Sequence, residues 1–214
     1  MEYSTLDKLG VRVSRLGFGC MRFPLTAEGK IDEPRAAAML DTAYKAGVTY
    51  YDTAYFYHQH TGEAFLGRAM KRYPRDTFYL ATKMPMSIVE SLDHAKEIFE
   101  GQLAALQTDY VDFYLLHGVN GERWKQAQEM GIVDFLLEMQ KAGRIRHFGF
   151  SFHGSYEEFE TILTARDWDF CQIQFNYMDQ EIQAGMRGYA LAEKLGVPII
   201  VMEPVKGGSL ATIG

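Results

Sequence analysis

Along the chain, short runs dense in apolar residues alternate with longer stretches whose apolar residues recur every three or four positions. The short runs are Arg15–Gly19, Tyr50–Thr53, Phe78–Lys83, Val111–His117, His147–Ser151, Phe170–Phe175 and Ile199–Glu203. Each is bounded by turn-forming residues, and together they predict strands buried on both faces. The intervening stretches predict helices over Pro34–Lys45, Glu63–Lys71, Ser91–Gln107, Ile132–Lys141, Ser155–Ala165 and Ala184–Leu195. Asp32 stands where an N-cap belongs, and Gly47, Gly143 and Gly196 follow three of the ends. Ser155 with Glu158 has capping-box spacing. Leu92, Ala95, Ile98, Phe99, Leu103 and Leu106 share one helical face. The stretch His117–Gly131 reads as the longest loop, with a short helix near Trp124.

Strict alternation of strand and helix implies a parallel sheet with helical crossovers. An open doubly wound sheet and a closed eight-stranded barrel both satisfy it. The open sheet should carry Gly-x-Gly-x-x-Gly at its first turn. Here Gly17-Phe18-Gly19 is followed by Arg22 where the third glycine belongs, so the pattern favours an α/β fold of the (β/α)8 TIM-barrel type. Residues before Arg15, with Gly10 at a turn, predict a β-hairpin plugging the barrel's bottom. The chain then reads as one domain over residues 1–214, a barrel cut short after its seventh strand. Its first and seventh strands would each lack a neighbour, an edge that a second copy of the chain could cover.

Composition narrows the function. The 214 residues are 47% hydrophobic and 23% charged, with a formal net charge of -6. That balance argues against nucleic-acid binding, which needs a Lys/Arg excess, but leaves room for a local basic pocket. No apolar run approaches the ~18 residues of a membrane span, and the opening Met1-Glu2-Tyr3-Ser4 has no signal-peptide pattern. The two cysteines, Cys20 and Cys171, are far apart in apolar contexts. They predict reduced thiols in a cytoplasmic protein, with no disulfide and no metal or iron–sulfur site.

Polar residues cluster where the predicted strands end. Asp52 closes the second, Lys83 the third, His117 the fourth and Ser151 the fifth. Gln174 ends the sixth, and Glu203 follows the seventh. In a barrel these ends converge on one mouth, where barrel enzymes place their chemistry. Asp52-Thr53-Ala54-x-x-Tyr57, the strand-end Lys83 and Leu115-Leu116-His117 resemble the signature of the aldo/keto reductase family, in order and over essentially the whole chain. Gly149-Phe150-Ser151, Gln172-Ile173-Gln174 with Asn176, and Glu203-Pro204-Val205-Lys206-Gly207-Gly208 extend the likeness. Gly149-Phe150-Ser151-Phe152-His153 and Val201-Met202-Glu203-Pro204 are similar to a branch that continues into a ferredoxin-like [4Fe–4S] module, whose cluster this chain does not carry.

The resemblance implies reduction of a small-molecule aldehyde or ketone with NADPH or NADH. Tyr57 would be the proton donor, Lys83 the cation that lowers its pKa, Asp52 the partner of Lys83, and His117 the group that orients the carbonyl. Ser151, Asn176 and Gln174 would hold the nicotinamide carboxamide. Gly19, Cys20 and Met21 would line its approach, together with Asp52 and Met202. Glu203, Pro204 and Val205 would also bind the cofactor, and the loop of Lys206, Gly207, Gly208 and Leu210 would wrap the pyrophosphate, the glycines allowing close backbone approach. Two positions depart from the usual family pattern. Phe152 replaces an asparagine after the strand-five serine, with His153 beside it, and Met202 replaces a stacking aromatic. Tyr51, Tyr55, Phe56 and Trp124 are either pocket wall or core. Two other readings compete: a non-catalytic module or fragment with an incomplete cofactor site, and a metal-dependent barrel hydrolase using His58, His60, His117 and His153.

Overall fold

The computed structural model describes residues 1–212. Strands β1 (Tyr3–Leu6) and β2 (Val11–Ser14) form an antiparallel hairpin turned at Gly10, whose φ of 65° suits a residue without a Cβ. A curled parallel sheet follows in the order β3 (Phe18–Gly19), β4 (Tyr50–Asp52), β5 (Tyr79–Met84), β6 (Val111–Val119), β7 (Ile145–Phe152), β8 (Phe170–Gln174) and β9 (Ile199–Met202). Spatial order equals chain order, as in a (β/α)8-type barrel, and β3 and β9 are the two edges.

Between the strands run α1 (Glu33–Lys45), α2 (Gly62–Met70), α3 (Leu92–Leu106), α4 (Gly121–Glu129), α5 (Ile132–Lys141), α6 (Tyr156–Thr164) and α7 (Gly185–Lys194). Asp32 caps α1 by accepting from the Arg35 amide, and Ser155 and Glu158 form the reciprocal capping box of α6. The expected short helix near Trp124 is α4, two and a half turns long, capped by the Asn120 side chain.

Strand parity divides the core in two. Phe148, Phe150 and Phe152 face the helices, where the larger core also holds Trp124, Trp168 and Phe159. Tyr50, Ala81, Phe113, Leu115 and Phe170 fill the concave side of the sheet, and Val13, Leu6, Leu9 and Val11 of the hairpin pack beneath them. The hairpin therefore plugs the bottom, as the sequence predicts. Lys8 fastens it there, donating to the Asp167 carboxylate at 2.5 Å and the Trp168 carbonyl at 2.7 Å.

Candidate active site

The C-terminal ends of β4, β5 and β6 carry Asp52, Lys83 and His117 to one mouth. The residue after β4 is Thr53, and the chain there turns through Tyr57 before α2 begins. Lys83 is 1% exposed, so its ammonium needs partners to stay charged. It has them: the Asp52 carboxylate at 2.5 Å and the Thr53 carbonyl at 2.8 Å. Burial, the largest single effect, would push its pKa down, but Asp52 and Tyr57 together outweigh it and the net shift is upward. The second oxygen of Asp52 accepts from Gln172 Nε2 at 2.9 Å. Gln172 thus fixes the carboxylate from across the mouth. Its parity with Gln174 put it on the same face of β8, which is the signal the sequence held for it.

Beneath Lys83 lies a buried polar layer. Gln102 of α3 donates to Glu63 at 2.8 Å and to the Lys83 carbonyl at 2.9 Å, and Tyr114 donates to Gln102 at 2.6 Å. Thr82 donates to Glu63. Burial raises the Glu63 pKa against these bonds and the Lys83 charge. A satisfied buried network of this kind fixes side-chain geometry.

The Lys83 ammonium lies 5.4 Å from the centre of the Tyr57 ring. Its charge favours the phenolate, as expected, but burial of the phenol is the larger effect and the Tyr57 pKa moves up. His117 is opposite Tyr57, with ring centres 6.4 Å apart. Burial, then the charges of Lys83, His153 and Arg123, hold its pKa down at about 3, so the imidazole is neutral. Its Nδ1 is buried without a partner.

After Tyr57 the chain makes an unusual turn. His58, Gln59 and His60 have φ of 53°, 55° and 66°, all left-handed, a conformation that costs L-residues energy. Side chains hold it in place. His58 Nε2 lies 3.0 Å from the Cys20 carbonyl and 3.3 Å from the Phe23 amide, and its ring stacks on Phe23. His60 packs edge-on against Tyr55 and Phe56, and Phe56 in turn faces His117 at 6.2 Å. Phe56 is therefore a wall of the mouth, whereas Tyr51 is wholly buried core. Trp124 is also core, packed against Trp168 at 5.3 Å, because α4 turns its one aromatic inward. Among the described residues no group of three His, Cys, Asp or Glu is placed to hold a metal ion. No described helix is long and apolar enough to cross a membrane.

The remaining residues predicted at the site fall into two sets. Ser151, Gln174 and Asn176 are buried beside the mouth. Ser151 Oγ accepts from the Gly118 amide at 2.9 Å, and Gln174 Oε1 is buried without a partner. The amides of Gln174 and Asn176 both donate to Asp179, which also pairs with Lys206 at 2.8 Å. Lys206, then Asn176, lowers the Asp179 pKa. The loop Glu203, Pro204, Val205, Lys206, Gly207 and Gly208 is exposed and Leu210 half-buried. Gly207 and Gly208 have φ of 66° and 102°, accessible to glycine at little cost. Met202 pairs with Gln174 across β8 and β9. At the other edge Gly19 and Met21 are open, but the Cys20 side chain is turned into the core, where burial raises its thiol pKa well above the ordinary value. Only its main chain borders the mouth. Phe152 is likewise sealed in the helix-side core against Phe159, so the position offers no polar group. His153 is exposed and bonds to Gln183 at 3.2 Å.

Barrels of the (β/α)8 type gather their chemistry at this end of the sheet. Here it consists of a buried ion pair, a phenol and a neutral imidazole. Comparison with known proteins makes the class specific. The Aldo/keto reductase family profile matches residues 15–213, and the chain belongs to that family. It is 29% identical over 205 residues to the aldo-keto reductase YhdN of Bacillus subtilis, covering 91% of this chain and 60% of that one. It is 25% identical to the probable aldo-keto reductase 1 of Glycine max, covering 95% of this chain and 59% of the relative. The chain thus spans about 60% of the length of these curated relatives. The holo form of aldo-keto reductase AKR11C1 from Bacillus halodurans superposes with a TM-score of 0.80 at 29% identity, covering 97% of this chain and 68% of that one.

Proposed function

We propose that this chain reduces an aldehyde or ketone to an alcohol, with a hydride from NADPH or NADH and a proton from Tyr57. The observation that carries the reading is the meeting of Tyr57, the Lys83–Asp52 pair and neutral His117 at one mouth. A bound nicotinamide supplies the hydride, which no side chain can. The residues fit such a group. Gln174 Oε1 is a buried orphan acceptor of the kind a carboxamide N–H satisfies, and left-handed Gly208, with open space where a Cβ would stand, leaves room for phosphate oxygens against the main chain.

The protein's own groups do the rest. Neutral His117 donates a hydrogen bond to the carbonyl oxygen without bringing a competing positive charge. Tyr57, its pKa raised, is fully protonated at neutral pH and so holds the proton to be delivered. As negative charge grows on the carbonyl oxygen, Tyr57 gives up that proton, and the nearby Lys83 ammonium stabilises the phenolate left behind. Asp52, gripped by Gln172, keeps Lys83 aimed at the phenol. Replacing Tyr57 by Phe removes the proton and little else. Turnover of 4-nitrobenzaldehyde is expected to fall by about 10²–10⁴-fold, with NADPH affinity by calorimetry unchanged. Full activity in Tyr57→Phe would refute the assigned role.

A further inference from the structure

We propose that Arg123 anchors an anion, selecting carbonyl substrates that also carry a carboxylate. The proposal rests on the carbonyl-reductase reading above and adds the substrate class. Arg123 lies in the first turn of α4, the helix after the His117 strand, and is half-buried. Its Nη1 donates to the carbonyl of Gly118 at 2.7 Å, and Gly118 is the chain neighbour of His117. Gly118 takes a left-handed φ of 57°, and its amide is held by Ser151, so the carbonyl that aims the guanidinium is itself fixed.

Two other buried or half-buried cations are matched, Lys83 by Asp52 and Arg75 by Asp112, whereas half-buried Arg166, without an ion pair among the described residues, stacks over the Phe148 and Trp168 rings of the helix-side core. Arg123 has no carboxylate within ion-pair distance among the described residues. Its Nε and Nη2 have no protein partner and are not sealed from solvent. A guanidinium fixed by one nitrogen, with two donors free, complements a planar carboxylate. The surroundings agree. The charges acting on His117 come from Lys83, His153 and Arg123, with no carboxylate among them. A chain of net charge -6 thus presents an unmatched guanidinium near the imidazole that would hold the carbonyl, and such a charge attracts anions. Because Arg123 grips the residue next to His117, the two functions would lie a few bonds apart, as in a short oxo acid or an aldehyde acid.

Benzoate and benzamide match in shape and differ in charge, and calorimetric binding of the two needs no turnover. The wild-type chain is expected to bind benzoate at least about tenfold tighter than benzamide, the worth of one charge-assisted contact. Arg123→Gln is expected to abolish the difference and Arg123→Lys to retain part of it. Lys125→Gln, on the same helix but exposed and facing Glu129 at 3.6 Å, leaves it intact. In turnover, Arg123→Gln raises KM for 4-carboxybenzaldehyde and leaves 4-nitrobenzaldehyde unchanged. Equal binding of benzoate and benzamide by the wild type overturns the proposal. So does a preference that survives in Arg123→Gln, or equal loss of both aldehydes, which would mean that Arg123 serves only to brace Gly118. Benzoate selectivity without any aldehyde turnover would leave Arg123 as the anchor and remove the reductase reading instead.

Discussion

At the scale of single residues, the site shows how burial and charge compete. Lys83 acts on Tyr57 in the direction its charge dictates, yet burial of the phenol wins, and the sequence holds no measure of burial. For His117 burial and charge act together, and its pKa falls from 6.5 to about 3. The sign for stability follows. Between those values an unfolded chain binds a proton at this position and the folded chain does not, so the contribution of His117 is complete above about pH 6.5 and is lost as pH falls toward 3. The His117 ring protons are expected to show no titration between pH 5 and 8 by NMR. A midpoint near 6.5 for His117 would show that the mouth is wetter or less cationic than described. Asp52, Lys83 and His117 were legible because each ends an apolar strand, and Tyr57 through the resemblance of Asp52-Thr53-Ala54-x-x-Tyr57 to the family signature. Gln172 and Arg123 were given no role. Gln172 is a polar residue inside a strand, marked only by its parity with Gln174, and Arg123 is a cation on a polar helix that only tertiary placement distinguishes from its neighbours.

At the scale of elements, apolar runs marked every strand, and their ends shifted where pairing decides. Arg15–Gly19 shrinks to the two residues of β3, because an edge strand has only β4 to pair with, while β7, flanked on both sides, begins two residues earlier than its apolar run. Helix limits were legible where a cap or glycine marks them; α4, with one buried aromatic and a polar remainder, reads as loop because its apolar face is only Trp124 and Ala127. Which helix packs closely on which was not legible. Gly67 of α2 illustrates it: a Cβ there would stand 2.5 Å from the Ala105 carbonyl and 2.6 Å from the Leu106 backbone at the end of α3. Backbone cannot yield as a flexible side chain does. Gly67→Ala is therefore expected to cost about 1–3 kcal/mol by separating α2 from α3, seen as a lower midpoint in chemical denaturation. Glu63, on the first turn of α2, would move with it, so kcat should fall as well. An unchanged midpoint would mean that the two helices slide apart freely.

At the scale of the whole molecule, the sheet is curled but its edges β3 and β9 pair with no strand among the described residues. Near the mouth the gap is bridged by Arg22, which donates to the Gly207 carbonyl at 3.1 Å. Lower down its flanks are apolar. Leu16 on one side and Leu195 and Val201 on the other are 60%, 45% and 39% exposed, and a groove lined by Met1, Phe18, Met39 and Val48 opens beside β3. Unpaired strand edges with apolar flanks favour association, since a partner supplies both main-chain hydrogen bonds and apolar cover. A protein of these 214 residues is expected to exceed monomer mass in light scattering at micromolar concentration, increasingly so as concentration rises. Val201→Lys places a charge on the β9 edge and is expected to shift the population toward monomer without altering the Lys83–Asp52 pair on the far side of the sheet. The Arg22 bridge makes a second outcome distinguishable. If the edges are adequately closed by that contact and by main-chain twist, the chain will stay monomeric at every concentration and melt in one sharp high-temperature transition. That result would refute association and give Arg22→Ala a large effect on the melt; under association, Arg22→Ala should barely change it.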